Sequence, residues 1–382
     1  MAPVAISFAV LEHGTASDLG LVSAAGLTPI VLFLLIGGVI ADRFSRRVVM
    51  LSSDILRTVA EIALGVWILN GHVPLWGFMA LAAAVGTGSA FFSPALTGLV
   101  PQVVSEKNLL QANALNSLSG STAQIAGPVL AGLIVAASRP GWAVVIDGVT
   151  YAISVFSLLI ISIDWTRSST STSFLYELSA GWKEFWSRTW LWVIVVEFSC
   201  LNVLMFGSMF VLGPVVAKEY LGGASTWGFI IAAEGLGSVA GGIAMLHWNP
   251  RRPLLVATLA TIVFAWPLFA LAHHGPTWMI ALGSFVSGAG VAIFATLWTT
   301  TMQREIPADI LSRVSAYDWF GSMVFMPIGM AVMGPASKYF GVSTTLITCA
   351  VLCLVIVGLT LLVPAVTGMR SPDTTSPIPQ MH

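Results

Sequence analysis

Residues 20–47 read GLVSAAGLTPIVLFLLIGGVIADRFSRR: an apolar run from Gly20 to Ala41, then Asp42, Arg43, Arg46 and Arg47 crowded into a short break. At 1.5 Å per residue, a helix over 20–41 reaches across a hydrocarbon core of about 30 Å. Runs of the same kind recur at 49–70, 75–98, 110–137, 142–163, 190–214, 225–247, 253–273, 277–301, 314–337 and 342–366, each closed by a short polar break. The chain has 382 residues, of which 57% are hydrophobic and 9% charged, where a soluble domain carries roughly 25% charged residues. So few charges cannot cover a water-facing surface. Helices satisfy their own backbone hydrogen bonds in lipid, and the alternating segments of about ten residues that a membrane β-barrel needs are absent. The composition therefore predicts an all-α polytopic membrane protein.

Residues 1–11, MAPVAISFAVL, are apolar but reach only about 16 Å as a helix, half of the hydrocarbon core. With no basic flank and no small-residue cleavage site before Glu12-His13, they do not read as a signal peptide. They read as the outer half of an incomplete first helix. Of the sixteen Lys and Arg, twelve fall in breaks on one side: Arg43, Arg46, Arg47, Lys107, Arg167, Lys183, Arg188, Arg251, Arg252, Arg304, Arg313 and Arg370. The opposite breaks hold Arg139, Lys218 and Lys338. Positive charge favours the cytoplasmic side, which puts the first set, and the C-terminus, in the cytoplasm of a plasma-membrane protein.

The long break at 164–189 starts as a flexible polar linker and continues with Phe174, Leu178, Trp182 and Phe185 at helical spacing, the pattern of an amphipathic helix on the inner membrane face. It separates an N-terminal bundle (1–163) from a C-terminal bundle (190–366), which a disordered cytoplasmic tail (367–382) follows. The bundles echo each other: Ala114, Gly127 and Gly132 fall on Ala316, Gly329 and Gly334 at one offset, and Gly37-Gly38 on Gly241-Gly242 at a similar one. Two parallel six-helix repeats are an established transporter plan.

Gly37-Gly38-Val39-Ile40-Ala41-Asp42-Arg43-Phe44-Ser45-Arg46-Arg47 resembles the signature that major facilitator transporters carry between their second and third helices, with Ser45 where a glycine is usual. A glycine such as Gly38 permits close helix approach and Asp42 can dock at a neighbouring helix N-terminus. The resemblance implies an inner gate formed by Gly38, Asp42, Arg43, Arg46 and Arg47 with Arg313 and Asp318. Ala123, Gly127, Pro128, Ala131 and Gly132 lie at the spacing of the superfamily's antiporter signature on helix 5, with alanines replacing some glycines. Small residues there let helices 5 and 8 pack backbone to backbone, and Gly-Pro adds a bend. Gly181-Trp182-Lys183-Glu184-Phe185-Trp186 extends the likeness, which is nearest to bacterial exporters of the enterobactin and macrolide type. It implies the major facilitator fold: two six-helix halves, with helix 1 incomplete in this chain.

Ionisable groups inside membrane helices are costly and usually functional. Asp54, Arg57 and Glu61 share one face of helix 3, where they can neutralise one another and brace the bundle. Glu197 and Glu234 have no Lys or Arg three or four residues away. Each must meet another helix, water or a proton, and Glu234, near mid-depth, is the leading candidate for the coupling proton. Trp298, Met205, Phe206 and Met209 are candidate cavity residues able to wrap an amphipathic ligand.

The expectation is a secondary transporter exporting an amphipathic small molecule (a drug, metabolite or siderophore) by proton antiport and alternating access. An uptake symporter, a uniporter, or a non-transporting or truncated membrane protein is the alternative. The expected partners are the substrate, protons and the lipid bilayer, with the chain a monomer. A net charge of −1 argues against nucleic acid. Cys200, Cys349 and Cys353 sit in apolar runs and read as buried small hydrophobes. No nucleophile–base pair, phosphate loop or metal-ligand spacing is visible, so neither an enzyme, a cofactor nor a metal site is expected.

Overall fold

A computed structural model describes residues 1–43, 45–105, 108–160 and 182–370, without the side chains of 34–43, 97–98, 101–102, 109–110, 113–114, 117, 308–309 and 312. All regular structure among these residues is helical. The elements are α1 (Ala2–His13), α2 (Ala16–Arg43), α3 (Arg46–Asn70), α4 (Leu75–Val103), α5 (Leu109–Ala137), α6 (Pro140–Ile160), α7 (Thr189–Gly207), α8 (Gly213–Tyr220), α9 (Ala224–His247), α10 (Pro253–Ala260), α11 (Ala265–Ala272), α12 (Thr277–Glu305), α13 (Ala308–Met323), α14 (Met326–Phe340), α15 (Val342–Leu361) and α16 (Pro364–Thr367). Ten spans among the described residues are long and apolar enough to cross a membrane. The eleventh run expected from the sequence is α3, which packs between α4 and α6. Its charged residues lower its hydropathy, and packing rather than lipid surrounds them.

Three spans differ in detail from the sequence expectation. The run expected to end at 214 continues through a π-helical turn, Ser208–Leu212, into α8 and ends at Tyr220. The run at 253–273 is interrupted by a 3-10 turn at Ile262–Phe264, and the run at 314–337 by a break at Val324 and Phe325 between α13 and α14. Hydropathy averages over such breaks and is blind to them. Of the cysteines, Cys349 and Cys353 are buried as expected, whereas Cys200 is exposed.

Helices meet through small residues. A Cβ at Gly132 would collide with the Ala224 carbonyl, and one at Gly228 with the Pro128 carbonyl, so α5 and α9 approach backbone to backbone. Alpha-2 and α14 approach in the same way, Gly20 against Met330 and Gly334 against Ser17. Both contacts lie in the half of the bundle away from the arginine-rich breaks. Toward those breaks α5 and α9 part: nothing lies within 4 Å of a Cβ placed at Gly120 on α5 or Gly242 on α9, and Leu115, Leu118 and Leu246 are exposed.

Of the proposed linker, residues 164–181 lie outside the described residues, as does the tail from 371. Residues 182–187 are helical. Phe185 is buried, Trp182 and Phe185 both lie against the Tyr317 ring, with centroids 5.3 and 6.2 Å away, and Arg188 donates to the Glu305 carbonyl at 2.5 Å. This segment therefore rests on α12 and α13.

The charges on α3 are sequestered. Asp54 is fully buried and pairs with Arg57, and its second oxygen accepts from Ser154 of α6 at 2.6 Å. The Arg57 guanidinium lies between the Phe92 and Tyr151 rings, 4.2 and 4.3 Å from their centroids. Two aromatic faces and a carboxylate replace its hydration. Glu61 is also buried, but its Oε2 has no hydrogen-bond partner and it does not join the pair. Removing one member of a buried ion pair strands the other's charge, at a cost of about 3–5 kcal/mol. Arg57→Ala should lower the melting temperature and folded yield of the detergent-solubilised protein sharply, and Asp54→Asn combined with Arg57→Ala should recover part of the loss. Size-exclusion recovery against temperature checks this; equal loss in single and double variants would show that lost packing, not stranded charge, dominates.

Candidate functional site

A cavity of about 600 Å³ opens among α2, α7, α9, α12, α13 and α14. Its walls run from Leu27, Met326 and Met330 deep in the bundle to Gln303 and Leu311, which flank the break between α12 and α13 on the arginine-rich side. That volume lies in the range of small-molecule sites, typically about 300–1,000 Å³. A second cavity, of about 440 Å³, lies at the opposite face and is lined by His13, His72 and Arg139. It contains none of the intramembrane acids, so the central cavity is the candidate site.

The walls are aromatic and methionine-rich. Phe198 of α7 stacks on Phe294 of α12, centroids 4.4 Å apart and nearly parallel, and Phe294 stacks in turn on Trp298 at 6.2 Å. One helical turn separates Phe294 from Trp298, so α12 presents both rings on one face. Trp298 Nε1 donates to Asp318 Oδ2 of α13 at 3.0 Å, and Ser322 lies one turn further along α13. Asn202 of α7 donates to the Ser322 carbonyl at 2.9 Å and ties α7 to the same corner. Of the four residues expected to wrap a ligand, Trp298, Met205 and Phe206 line the cavity, while Met209 is buried in the neighbouring core.

Glu234 lines the cavity from α9 and is partly buried. No described residue forms an ion pair with it. Its backbone is held tightly, since a Cβ at Gly288 of α12 would strike the Glu234 carbonyl, and Ser238 donates to the Gly288 carbonyl at 3.1 Å. Glu197 lies apart from the cavity. It is buried, accepts from Thr261 at 3.3 Å through Oε1, and its Oε2 has no partner. Thr261 sits where α10 breaks into the 3-10 turn, and its single hydroxyl proton is shared between Glu197 and the nearer Thr258 carbonyl at 2.7 Å.

The expected inner gate falls partly outside the described residues. The side chains of Asp42 and Arg43 lie outside the described residues, and Gly38 falls in the same stretch. Arg47 donates to the carbonyls of Leu158 and Leu159 at the end of α6, both at 2.9 Å. Arg46 and Arg313 are both engaged, and Asp318 belongs to the cavity wall. Along α5, Ala131 and Gly132 are buried in the contact with α9, Gly127 and Pro128 are partly buried, and Ala123 is exposed. The Asp54, Arg57 and Glu61 cluster lies between α3, α4 and α6, away from the cavity. The Trp298–Asp318 bond was beyond sequence reasoning, because it joins two helices; the only signal was an acid and a tryptophan in consecutive apolar runs.

Residues 1–381 match the family model described as transmembrane secretion effector. Macrolide efflux protein A of Streptococcus pyogenes is 23% identical over 365 residues, covering 92% of this chain and 90% of that protein. The multidrug efflux pump Tap of Mycolicibacterium fortuitum is 23% identical, covering 90% and 86%. The enterobactin exporter EntS of Shigella boydii is 26% identical, covering 79% and 72%. Among solved structures, the nucleoside transporter NupG superposes with a TM-score of 0.72 at 11% identity, covering 94% of this chain and 93% of its own. A bacterial homologue of the lysosomal transporter Spinster, in an inward-facing and occupied conformation, gives 0.71 at 14%, covering 94% and 91%. A polytopic helical chain that matches one family model from end to end and folds like these transporters belongs to the transmembrane secretion effector family, and is a multi-pass membrane transporter of the major facilitator fold.

Proposed function

We propose that the protein exports an amphipathic small molecule across the plasma membrane by proton antiport, working as a monomer with its C-terminus in the cytoplasm. The observation that carries this reading is the central cavity: apolar, reached from the arginine-rich side, covered on the other side by the α5–α9 and α2–α14 contacts, and bearing the unpaired acid Glu234. The positive-inside bias makes the open side cytoplasmic, which is where an exporter loads. Efflux in the names of the relatives supports that direction.

In this reading the two bundles, 1–163 and 190–366, joined by 164–189, rock about the cavity. Opening the outer side separates α5 from α9 and α2 from α14, while the cytoplasmic halves of the same helices close. Asp42, Arg43, Arg46 and Arg47 then latch against the α13 end near Arg313. Gly120 and Gly242 keep room for that closure. Gly120→Leu and Gly242→Leu should therefore fold and insert normally yet lose most transport, because the added side chains obstruct the closed state alone. Wild-type efflux by both variants at equal expression would remove this motion from the mechanism.

Glu234 supplies the coupling in this cycle: neutral when protonated, charged when the proton has left, with each state favouring one orientation. Glu197, buried outside the cavity, is the second protonatable position. Glu234→Gln should still bind substrate and allow downhill exchange but fail to accumulate substrate against its gradient. Glu197→Gln, which keeps the size of the side chain and an acceptor for Thr261, should pump. Purified protein in liposomes with an imposed pH gradient checks both, and pH-driven accumulation by Glu234→Gln would sink the assignment.

A further inference from the structure

The charge of the cavity wall has a chemical consequence that the apolar character of the site does not contain. Among the described residues lining the cavity, the ionisable groups are Glu234 and Asp318, both acids; no Lys, Arg or His lines it. A ligand carrying negative charge would enter with two carboxylates and no counter-charge, and in a low-dielectric site such unpaired repulsion is costly. A ligand carrying a positive charge finds a ready partner.

The two acids are not equivalent. The Asp318 carboxylate is oriented by Trp298 from α12. A carboxylate offers about four acceptor positions, so this one donor orients the group and leaves further positions open. Beside it stands the stacked wall of Trp298, Phe294 and Phe198. Aromatic faces attract cations electrostatically and still accept apolar groups. No described residue hydrogen-bonds the Glu234 side chain, and it lies on a different helix, which leaves it free for proton exchange.

We propose that the substrates are amphipathic organic cations, such as protonated or quaternary amines bearing apolar or aromatic groups, with Asp318 as the cation anchor and the Trp298–Phe294–Phe198 wall receiving the apolar body. This inference rests on the reading of the cavity as the transport site and narrows it. It also separates two tasks within one cavity: Asp318 holds the ligand's charge and Glu234 exchanges the proton.

The test uses three compounds of similar shape and different charge: tetraphenylphosphonium, neutral triphenylphosphine oxide and anionic tetraphenylborate. Equilibrium binding to the purified full chain in detergent is measured against protein-free micelles, alongside transport in liposomes. The phosphonium should bind saturably and the other two at least tenfold more weakly. Asp318→Asn, which keeps an oxygen for the Trp298 bond, should weaken phosphonium binding by tenfold or more while leaving the helical circular dichroism and elution volume unchanged, and Asp318→Glu should restore part of it. Saturable binding of the oxide or the borate as tight as that of the phosphonium would overturn the proposal, as would undiminished phosphonium binding by Asp318→Asn. Should Asp318→Asn fail to fold, charge selectivity of the wild-type protein still decides the substrate class. Failure of the exporter reading looks different: charge-selective binding would persist, but no compound of any charge would be moved in liposomes.

Discussion

No layer of side chains separates α9 from two of its neighbours. On one side Gly228 meets the Pro128 carbonyl of α5; on another, Gly237 and Gly241 meet the carbonyls of Phe285 and Ala289 on α12, and Gly288 meets the carbonyl of Glu234 itself. In a bilayer, where lipid tails are as apolar as leucine, association between helices depends on such close packing rather than on the hydrophobic effect. The depth and heading of Glu234 are thus set by backbone contact, which leaves less slack than an interdigitated side-chain interface. Because α12 is bound along this length of α9, the helix with the acid and the helix with Phe294 and Trp298 are joined as one body. The contact with α5 is different in extent: it covers residues 124–132 against 224–235 and then opens. A contact confined to one half of a helix pair is what a rocking joint requires.

Charge in the membrane is handled in two ways. Around Asp54 and Arg57 the charges are answered locally, by the ion pair, by Ser154 and by two aromatic faces, with Arg57 Nε left without a hydrogen-bond partner. Those contacts tie α3 to α4 and α6. Glu197, Glu234 and Asp318 have hydroxyl, indole or cavity neighbours but no cation among the described residues. Here the protein leaves a demand open. A neutral donor such as the Thr261 hydroxyl or the Trp298 indole orients a carboxylate without cancelling its charge, so the group remains available to a proton or a ligand cation. The helix break at Thr261 belongs to the same arrangement: the residue at the break bridges its own helix and Glu197.

Much of this was legible in the sequence because the governing constraints are local. Span length and the lack of charge identify the helices, and the arginine bias identifies a face. The small residues from Gly127 to Gly132 announced a helix contact, and that contact with α9 is where the backbones touch. The reading was silent where structure depends on pairing between distant helices. Nothing in AAEGLGSVAGG says that its glycines face α12 as well as α5, since a glycine permits approach on any side. The breaks near Thr261 and Phe325 are invisible to hydropathy, which sees only apolar composition. Phe198 and Phe294 became significant because their rings stack across a cavity, and twenty phenylalanines in the chain give no means of choosing these two beforehand. Met209 shows the opposite error: four residues from Met205, on the same helical face, it lies beyond the cavity floor in the core.

The distribution of the wall bears on how a proton and a ligand are coupled. Apart from Leu27 of α2, the described lining residues all come from α7 onward. In the proposed cycle, then, ligand and proton sit on the same body and travel with it, and no change in distance between two bodies is needed for one to sense the other. Coupling reduces to charge within one enclosure of low dielectric, where occupancy of one acid by a cation makes ionisation of the other less costly, and loss of that cation makes protonation more favourable. Exchange of a ligand cation for protons follows without a mechanical link between the sites. In that proposed cycle the remainder of the fold supplies access, first from one side and then from the other, and the contacts at α5–α9 and α2–α14 are the ones that part.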